Sequence, residues 1–254
     1  MKALTYHGVH RIRCEDAPDP RLLHEQDAIV EVELAGICGS DLHVYHGRET
    51  GLDAGTVMGH EFVGRVVESG AGVRAFAPGE RVACPFSTSC GRCYYCSLGL
   101  SARCTAGQLF GWLQGGVGLH GGQARYVRVP LADATLCRLP EDLAPEAALL
   151  LCDVLPTGHH CATMAAVVPG GSYAVIGCGP VGLMTILAAR ELGAERLHAI
   201  DAIDERLAFA ARLGAVPVDS RRADPVQVVR GATDGRGADA VLEAVGSPEA
   251  GRLA

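Results

Sequence analysis

Residues 172–182 have the sequence SYAVIGCGPVG, an apolar run followed by glycines at Gly177, Gly179 and Gly182. The run predicts a buried strand, and Pro180 is suited to the first position of the helix that follows. The glycines permit a tight turn, a close backbone approach and close helix packing, in that order. Together they predict a turn that presents a helix N-terminus to the pyrophosphate of a dinucleotide.

The chain beyond this turn alternates between strand-like and helix-like segments. RLHAID (196–201), AVPVDS (215–220) and ADAVLEAVG (238–246) predict three further strands, with helices between them. Such alternation indicates a doubly wound parallel sheet covered on both faces. Asp201 ends the second strand, where a carboxylate accepts hydrogen bonds from a ribose and repels a 2′-phosphate. NAD is therefore favoured over NADP.

The chain before the turn has a different pattern. AIVEVELAGI (28–37) and EFVGRVVESG (61–70) alternate apolar and polar residues between glycines and prolines, which predicts a β-rich, barrel-like domain. Residues 144–168 are helix-like, with an interruption expected at Pro156. The predicted domains are residues 1–150 and 151–254.

Composition restricts the classes of partner. The chain is 48% hydrophobic and carries a net charge of −7, which argues against nucleic acid or an anionic membrane as the main partner. Neither a membrane span nor an export signal is recognisable, so a reducing, cytoplasmic location is expected. Disulfides are then improbable despite 11 cysteines. Six of these are expected to be small buried hydrophobic residues: Cys14, Cys84, Cys137, Cys152, Cys161 and Cys178.

The segment SCGRCYYCSLGLSARC (89–104) concentrates four further cysteines. Cys90, Cys93, Cys96 and Cys104 have a spacing that can surround one tetrahedral ion. Four protein ligands leave no open coordination position, so the favoured interpretation is a structural zinc. An iron–sulfur cluster is the alternative, because its cysteine spacings are similar.

Five motifs in a fixed order carry a resemblance that covers essentially the whole chain. CGSDLH (38–43), GHEFVG (59–64), the four-cysteine segment, GGQARYVRVP (121–130) and GCGPVG (177–182) resemble the zinc-dependent medium-chain alcohol dehydrogenases. The resemblance implies a GroES-like domain followed by a Rossmann domain. The shorter CDVLPTGHH (152–160) is most similar to the branch of glutathione-independent formaldehyde dehydrogenase and formaldehyde dismutase.

The resemblance also implies a catalytic zinc with three protein ligands and one open position. Cys38 and His60 match the first two ligands, and Asp153 matches the third, with Cys152 as a rival one residue earlier. Glu61 matches a carboxylate that lies behind the metal. Asp41, not counted among the ligands, matches the carboxylate that orients the ligating histidine.

Further matches concern proton transfer and cofactor binding. Ser40 and His43 match a hydroxyl–imidazole relay that carries a proton to solvent. Val181 and Thr157 match residues near the nicotinamide, and Arg206 matches a basic residue near the adenosine ribose. Pro180 belongs to the same cofactor-binding turn.

These matches predict a zinc- and NAD-dependent oxidoreductase that acts on a primary or secondary alcohol or an aldehyde hydrate. The sequence ends four strands into a sheet that typically has six, so truncation is expected. A homo-oligomer is expected for a full-length form and is doubtful for this chain. Two alternatives stay open: a zinc- and dinucleotide-binding protein without turnover, and a dismutase-like enzyme that holds NAD tightly.

Overall fold

A computed structural model describes residues 1–254. The chain divides into unit 1, Met1–Asp153, and unit 2, Val154–Ala254. No helix has the length and the apolar character needed to cross a membrane.

Unit 1 is built on an antiparallel sheet of five strands with the order β8-β3-β4-β5-β9. Two smaller antiparallel pairs, β1-β2 and β6-β7, accompany it. The strands are β1 (Lys2–Tyr6), β2 (Ile12–Asp16), β3 (Ala28–Ala35), β4 (Phe62–Ser69), β5 (Arg81–Cys84), β6 (Trp112–Gln114), β7 (Val117–Leu119), β8 (Tyr126–Val129) and β9 (Cys137–Arg138). The helices are α1 (Gly39–Tyr45), α2 (Tyr94–Ser97), α3 (Ala132–Thr135) and α4 (Pro145–Leu150), with a 3₁₀ turn at Ser101–Arg103.

The alternating sequences of β3 and β4 explain the core of unit 1. The two strands pair from Ala28↔Ser69 to Ala35↔Phe62, so the inward side chains of both reach the same core. Val30, Phe62 and Val66 are almost fully buried in one cluster. The ring of Phe62 packs edge-on against Phe110, with centroids 5.2 Å apart. The predicted β-rich first half is confirmed.

Unit 2 contains a parallel sheet of four strands with the order β12-β11-β10-β13. Its strands are β10 (Ser172–Ile176), β11 (Arg196–Asp201), β12 (Val216–Asp219) and β13 (Ala240–Glu243). Its helices are α5 (Val154–Met164), α6 (Pro180–Glu191), α7 (Asp204–Arg212), α8 (Pro225–Gly231) and α9 (Pro248–Leu253). Every predicted strand and helix of this half is present.

Both faces of this sheet are buried, as the apolar β10 sequence requires. Tyr173 and Val175 pack in one cluster with residues of α6 and α7, while Ala174 and Ile176 pack in another with residues of α8 and α9. In this order β11 and β12 lie on one side of β10, and β13 lies on the other side. The carboxyl end of β10 is therefore the switch point at which such sheets bind nucleotides.

The helical segment around residue 150 differs from the prediction in one respect. The interruption lies at residues 151–153, between α4 and α5, and Pro156 is inside the first turn of α5. A proline is tolerated there because the N–H groups of a first helical turn have no partner within the helix. The expected break at Pro156 is therefore wrong.

Candidate functional site

The four cysteines of residues 89–104 converge in unit 1. Their sulfur atoms all lie within 4.8 Å of one another, and Cys93 Sγ is 3.6 Å from Cys96 Sγ and 4.0 Å from Cys104 Sγ. Four sulfurs bonded to one zinc ion would be about 3.8 Å apart, given Zn–S bonds of about 2.3 Å. The cluster thus fits a tetrahedral ion held only by protein thiolates.

Backbone N–H groups of this loop point at several of the sulfur atoms. Cys104 Sγ accepts hydrogen bonds from the N–H groups of Cys90 and Ala106, at 3.2 and 3.4 Å. Backbone N–H groups of Cys96 and Thr105 lower the pKa of Cys93 to about 5. Burial and the Cys93 side chain instead raise the pKa of Cys96 to about 11. A bound cation would therefore displace a proton from Cys96 but none from Cys93 at neutral pH.

A second cluster brings together Cys38, His60, Glu61 and Asp153, whose ligand atoms also lie within 4.8 Å of one another. Asp153 Oδ2 lies 3.5 Å from His60 Nε2 and 3.9 Å from Cys38 Sγ. Cys38 caps α1 just after β3, His60 and Glu61 precede β4, and Asp153 follows α4. The ends of three elements therefore present one thiol, one imidazole and two carboxylates to a common point.

The charges of this second cluster favour a cation. Burial alone would lower the pKa of His60, but hydrogen bonds to Asp153 and Cys38 raise it to about 10. Burial, followed by the Asp153 charge, raises the pKa of Glu61. Glu61 Oε1 is buried and has no hydrogen-bond partner. A buried carboxylate oxygen is costly without a donor or a cation, so this donor set fits a divalent ion such as zinc.

The neighbouring Cys152 faces elsewhere. Its thiol donates to the carbonyl oxygen of Phe62 at 3.2 Å, and the residue is 1% exposed. Burial raises the pKa of this thiol to about 12. A protonated, hydrogen-bonded thiol is a poor ligand, so the arrangement favours Asp153 over its rival.

The two predicted relay residues, Ser40 and His43, both lie on α1. Cys38 Sγ lies 3.9 Å from Ser40 Oγ. The His43 side chain is 36% exposed, and its Nδ1 lies 3.8 Å from Glu49 Oε1 at the surface. The structure therefore places Ser40 beside the cluster and His43 further along α1, in contact with solvent.

Sequence reasoning missed one polar contact of this site. Gln123 donates a hydrogen bond to Asp41, and Asp41 Oδ1 lies 3.8 Å from His60 Nδ1. Gln123 is 82 residues from Asp41, and no local spacing signals the pair.

The glycine turn of unit 2 has the geometry that its sequence predicts. Gly177 has φ +89° at the end of β10, a conformation that L side chains rarely adopt. A Cβ on Gly182 would collide with the carbonyl oxygen of Gly177, whereas a Cβ on Gly179 would have no atom within 4 Å. Open space at Gly179, before Pro180 begins α6, is what an approaching pyrophosphate requires.

Asp201, at the end of β11, accepts a hydrogen bond from this turn. Its Oδ2 accepts the N–H of Cys178 at 2.7 Å, and its Oδ1 accepts the N–H groups of Ala202 and Ile203 at 2.7 and 2.9 Å. Arg206 Nη1 lies 3.8 Å from Asp201 Oδ2. The structure thus brings Asp201 and Arg206 to the Gly-rich turn.

The remaining predicted cofactor residues also lie in unit 2. Val181 occupies the first turn of α6, and its carbonyl oxygen accepts the Thr185 hydroxyl at 2.9 Å. Thr157 lies on α5, where it lines a shallow cavity with His160 and residues of β13.

Two of the six other cysteines contradict the expectation of burial. Cys84, Cys152 and Cys178 are buried and Cys161 is partly buried, but Cys14 and Cys137 are exposed. Cys14 lies on the short β1-β2 pair and Cys137 on the two-residue edge strand β9, where no second layer covers them.

The fold and the candidate sites define a class of protein with a metal-binding unit and a nucleotide-binding unit. Comparison with known proteins gives its family. Residues 24–141 match the alcohol dehydrogenase GroES-like domain, and residues 180–254 match the zinc-binding dehydrogenase domain. The chain belongs to the zinc-type medium-chain alcohol dehydrogenase family. The predicted pairing of a GroES-like with a Rossmann domain is confirmed.

Individual relatives agree with this assignment. Over its whole length the chain is 46% identical to the medium chain reductase/dehydrogenase ucsI of Acremonium sp., covering 88% of that protein. Over 97% of its length it is 40% identical to zinc-type alcohol dehydrogenase B of Aspergillus flavus, covering 58% of it. Formaldehyde dismutase of Pseudomonas putida matches at lower identity, 36% over 89% of the chain, with 60% of that protein covered.

A solved structure shows the same architecture. Alcohol dehydrogenase TADH from Thermus sp. ATN1 is 44% identical and superposes with a TM-score of 0.93, over all of this chain and 73% of that one. The chain therefore spans between about three fifths and nine tenths of these relatives.

Proposed function

We propose that the protein is a zinc- and NAD-dependent oxidoreductase that transfers a hydride between a primary or secondary alcohol, or an aldehyde hydrate, and NAD. The observation that carries this proposal is the second cluster, in which Cys38, His60 and Asp153 present three ligand atoms to one point. A metal with three protein ligands retains a position for substrate, which the four-cysteine cluster does not offer. In this proposal unit 1 holds both metal sites and unit 2 holds the dinucleotide.

The donor set suits the chemistry that alcohol oxidation needs. A bound zinc would act as a Lewis acid that makes a hydroxyl group acidic near neutral pH. Cys38 and Asp153 supply two anionic ligands, and Asp41 lies behind the His60 ring to orient it. Glu61, with its unpartnered Oε1, would hold the cation when no substrate is present.

The proton of the substrate hydroxyl must leave a buried site. In this proposal Ser40 Oγ accepts that proton while its own proton passes to His43. The half-exposed ring of His43 then releases it to water. The surface position of His43 supports this direction of transfer.

NAD would bind across the switch point of the parallel sheet. Gly177, Gly179 and Gly182 would admit the pyrophosphate to the start of α6 at Pro180 and Val181. The carboxylate of Asp201 would receive the adenosine ribose, with Arg206 alongside, and would repel the 2′-phosphate of NADP. Thr157 and Val181 are assigned to the nicotinamide end.

Metal content and turnover, measured on the same preparations, test the proposal. We expect two zinc ions per wild-type chain, with Cys93→Ser and Asp153→Asn each losing a different one. NADH should form from alcohols with NAD rather than NADP, and Asp153→Asn should abolish its formation. Aldehyde disproportionation without added NAD would instead identify dismutase chemistry. One zinc in the wild type, lost only in Cys93→Ser, would overturn the proposal in favour of a binding protein without turnover.

A further inference from the structure

Gln123 lies against the segment that carries His60. Its backbone N–H donates to Met58 O at 2.9 Å, and its carbonyl oxygen accepts the Leu4 N–H at 2.8 Å. A Cβ on Gly59 would collide with the Gln123 side chain. The segment that ends in His60 and the Gln123 backbone are therefore packed together.

The side chain of Gln123 reaches the segment that carries Cys38. Its Nε2 donates to Gly36 O at 2.9 Å and to Asp41 Oδ2 at 3.0 Å. A carbonyl and a carboxylate can only accept hydrogen bonds, so the NH₂ end of the amide must face both. Both protons of the amide are thereby used.

The residues that supply both acceptors, Gly36 and Asp41, also contact residues of the second cluster. Asp41 Oδ2 also accepts the N–H of Cys38 at 2.9 Å, and Asp41 Oδ1 faces the His60 ring. The N–H of Gly36 donates to Glu61 O at 2.9 Å. One amide group therefore links the two segments that supply Cys38, His60 and Glu61.

We propose that Gln123 is a positioning residue for this metal centre, an inference that rests on the proposed zinc site. Asp41 is 7% exposed, so it depends on the Cys38 N–H and the Gln123 amide to fix its plane. Without the amide, the carboxylate turns and the His60 imidazole loses its orientation. Groups that orient metal ligands typically change metal affinity by about 10–100-fold.

Metal release from the same chain provides the test. Gln123→Leu removes both donated bonds with little change in volume, and Gln123→Glu replaces the donor by an acceptor. Gln114→Leu, at an exposed position of β6, is the matched control. A chromophoric chelator would report release of the two zinc ions, and cobalt substitution would report the ligand geometry of the mixed cluster through its visible absorption.

We expect both Gln123 variants to release one zinc about tenfold faster and to shift the cobalt spectrum. The metal of the four-cysteine cluster should leave at the wild-type rate and so serve as an internal reference. Gln114→Leu should behave as the wild type.

Two results would overturn the inference alone: unchanged release of both metals, or equal acceleration of both, which indicates general destabilisation. A wild-type chain that holds metal only at the four-cysteine cluster would remove the inference and the proposed function together.

Discussion

The two cysteine-containing clusters of unit 1 are assembled in opposite ways. The four-cysteine cluster draws all its ligands from residues 90–104, and its geometry is set by tight turns and local N–H groups. The mixed cluster joins Cys38 to Asp153 across 115 residues, and the ends of separate elements present its side chains. One candidate metal site is thus encoded in one short segment, whereas the other requires the whole of unit 1.

The largest expected effect is on turnover. Cys38→Ser replaces a proposed thiolate ligand of the mixed cluster with a weak one, so kcat/KM should fall about a thousandfold, equivalent to about 4 kcal/mol. The melting temperature should hardly change, because β3 and β4 are held by their own ladder and by the packing of unit 1. Steady-state kinetics and thermal melts on one preparation would check this. Equal losses of stability in Cys38→Ser and Cys93→Ser would contradict the assignment of a catalytic role to one cluster and a structural role to the other.

Cys93→Ser should show the reverse pattern, with the effect on stability. Binding of a structural metal adds directly to folding free energy, and losing one of four ligands is expected to cost about 3 kcal/mol. The melting temperature should then fall by about 6–12 °C. Below that temperature, kcat/KM per folded chain should stay within about threefold of wild type. A folded variant with little activity would show that the four-cysteine loop supports catalysis directly.

Acid should weaken metal binding at both clusters. The folded-state pKa of His60 is raised to about 10, so below that pH a metal must displace its proton. Cys96, with a pKa of about 11, must likewise lose a proton, whereas Cys93, with a pKa of about 5, need not. Affinity at each cluster should therefore fall about tenfold for each pH unit between 9 and 6. Chelator competition at several pH values would check this, and an affinity independent of pH at either cluster would contradict it.

The smallest effect is expected outside both clusters. Cys137→Ser changes an exposed thiol on the edge strand β9, so stability should change by less than about 0.5 kcal/mol. Elemental analysis should find unchanged metal content, and thiol titration should find one reactive group fewer. A loss of metal would show that a thiol outside the two clusters contributes a ligand.

The same contrast explains what the sequence could predict. The four-cysteine spacing and the Gly177–Gly179–Gly182 turn are local patterns with fixed geometry, so they identify their segments directly. The sequence favoured Asp153 over Cys152 through the resemblance, and the fold adds a physical reason, because the Cys152 thiol faces Phe62 O where α4 packs near β4. Gln123 gave no signal, since its partner Asp41 comes from a distant segment.

The secondary-structure elements were likewise predictable where a local pattern specifies them. Apolar–polar alternation predicted β3 and β4, whereas an apolar run predicted β10 and the strand–helix rhythm predicted β11 to β13. Each of these strands contributes side chains to a buried core. Pro156 misled because proline restricts a helix differently at its first turn than in its interior. The exposed Cys14 and Cys137 misled because hydrophobicity alone does not reveal which strands lie at an edge.

The long separation between Cys38 and Asp153 has a consequence for biosynthesis. On the ribosome, Cys104 emerges 49 residues ahead of Asp153, a delay of about 2–10 s at 5–20 residues per second. The four-cysteine loop can capture its ion during that interval, whereas the mixed cluster lacks a ligand until unit 1 is complete. Nascent chains should therefore acquire their two metals in a fixed order, with the reactive site filled last.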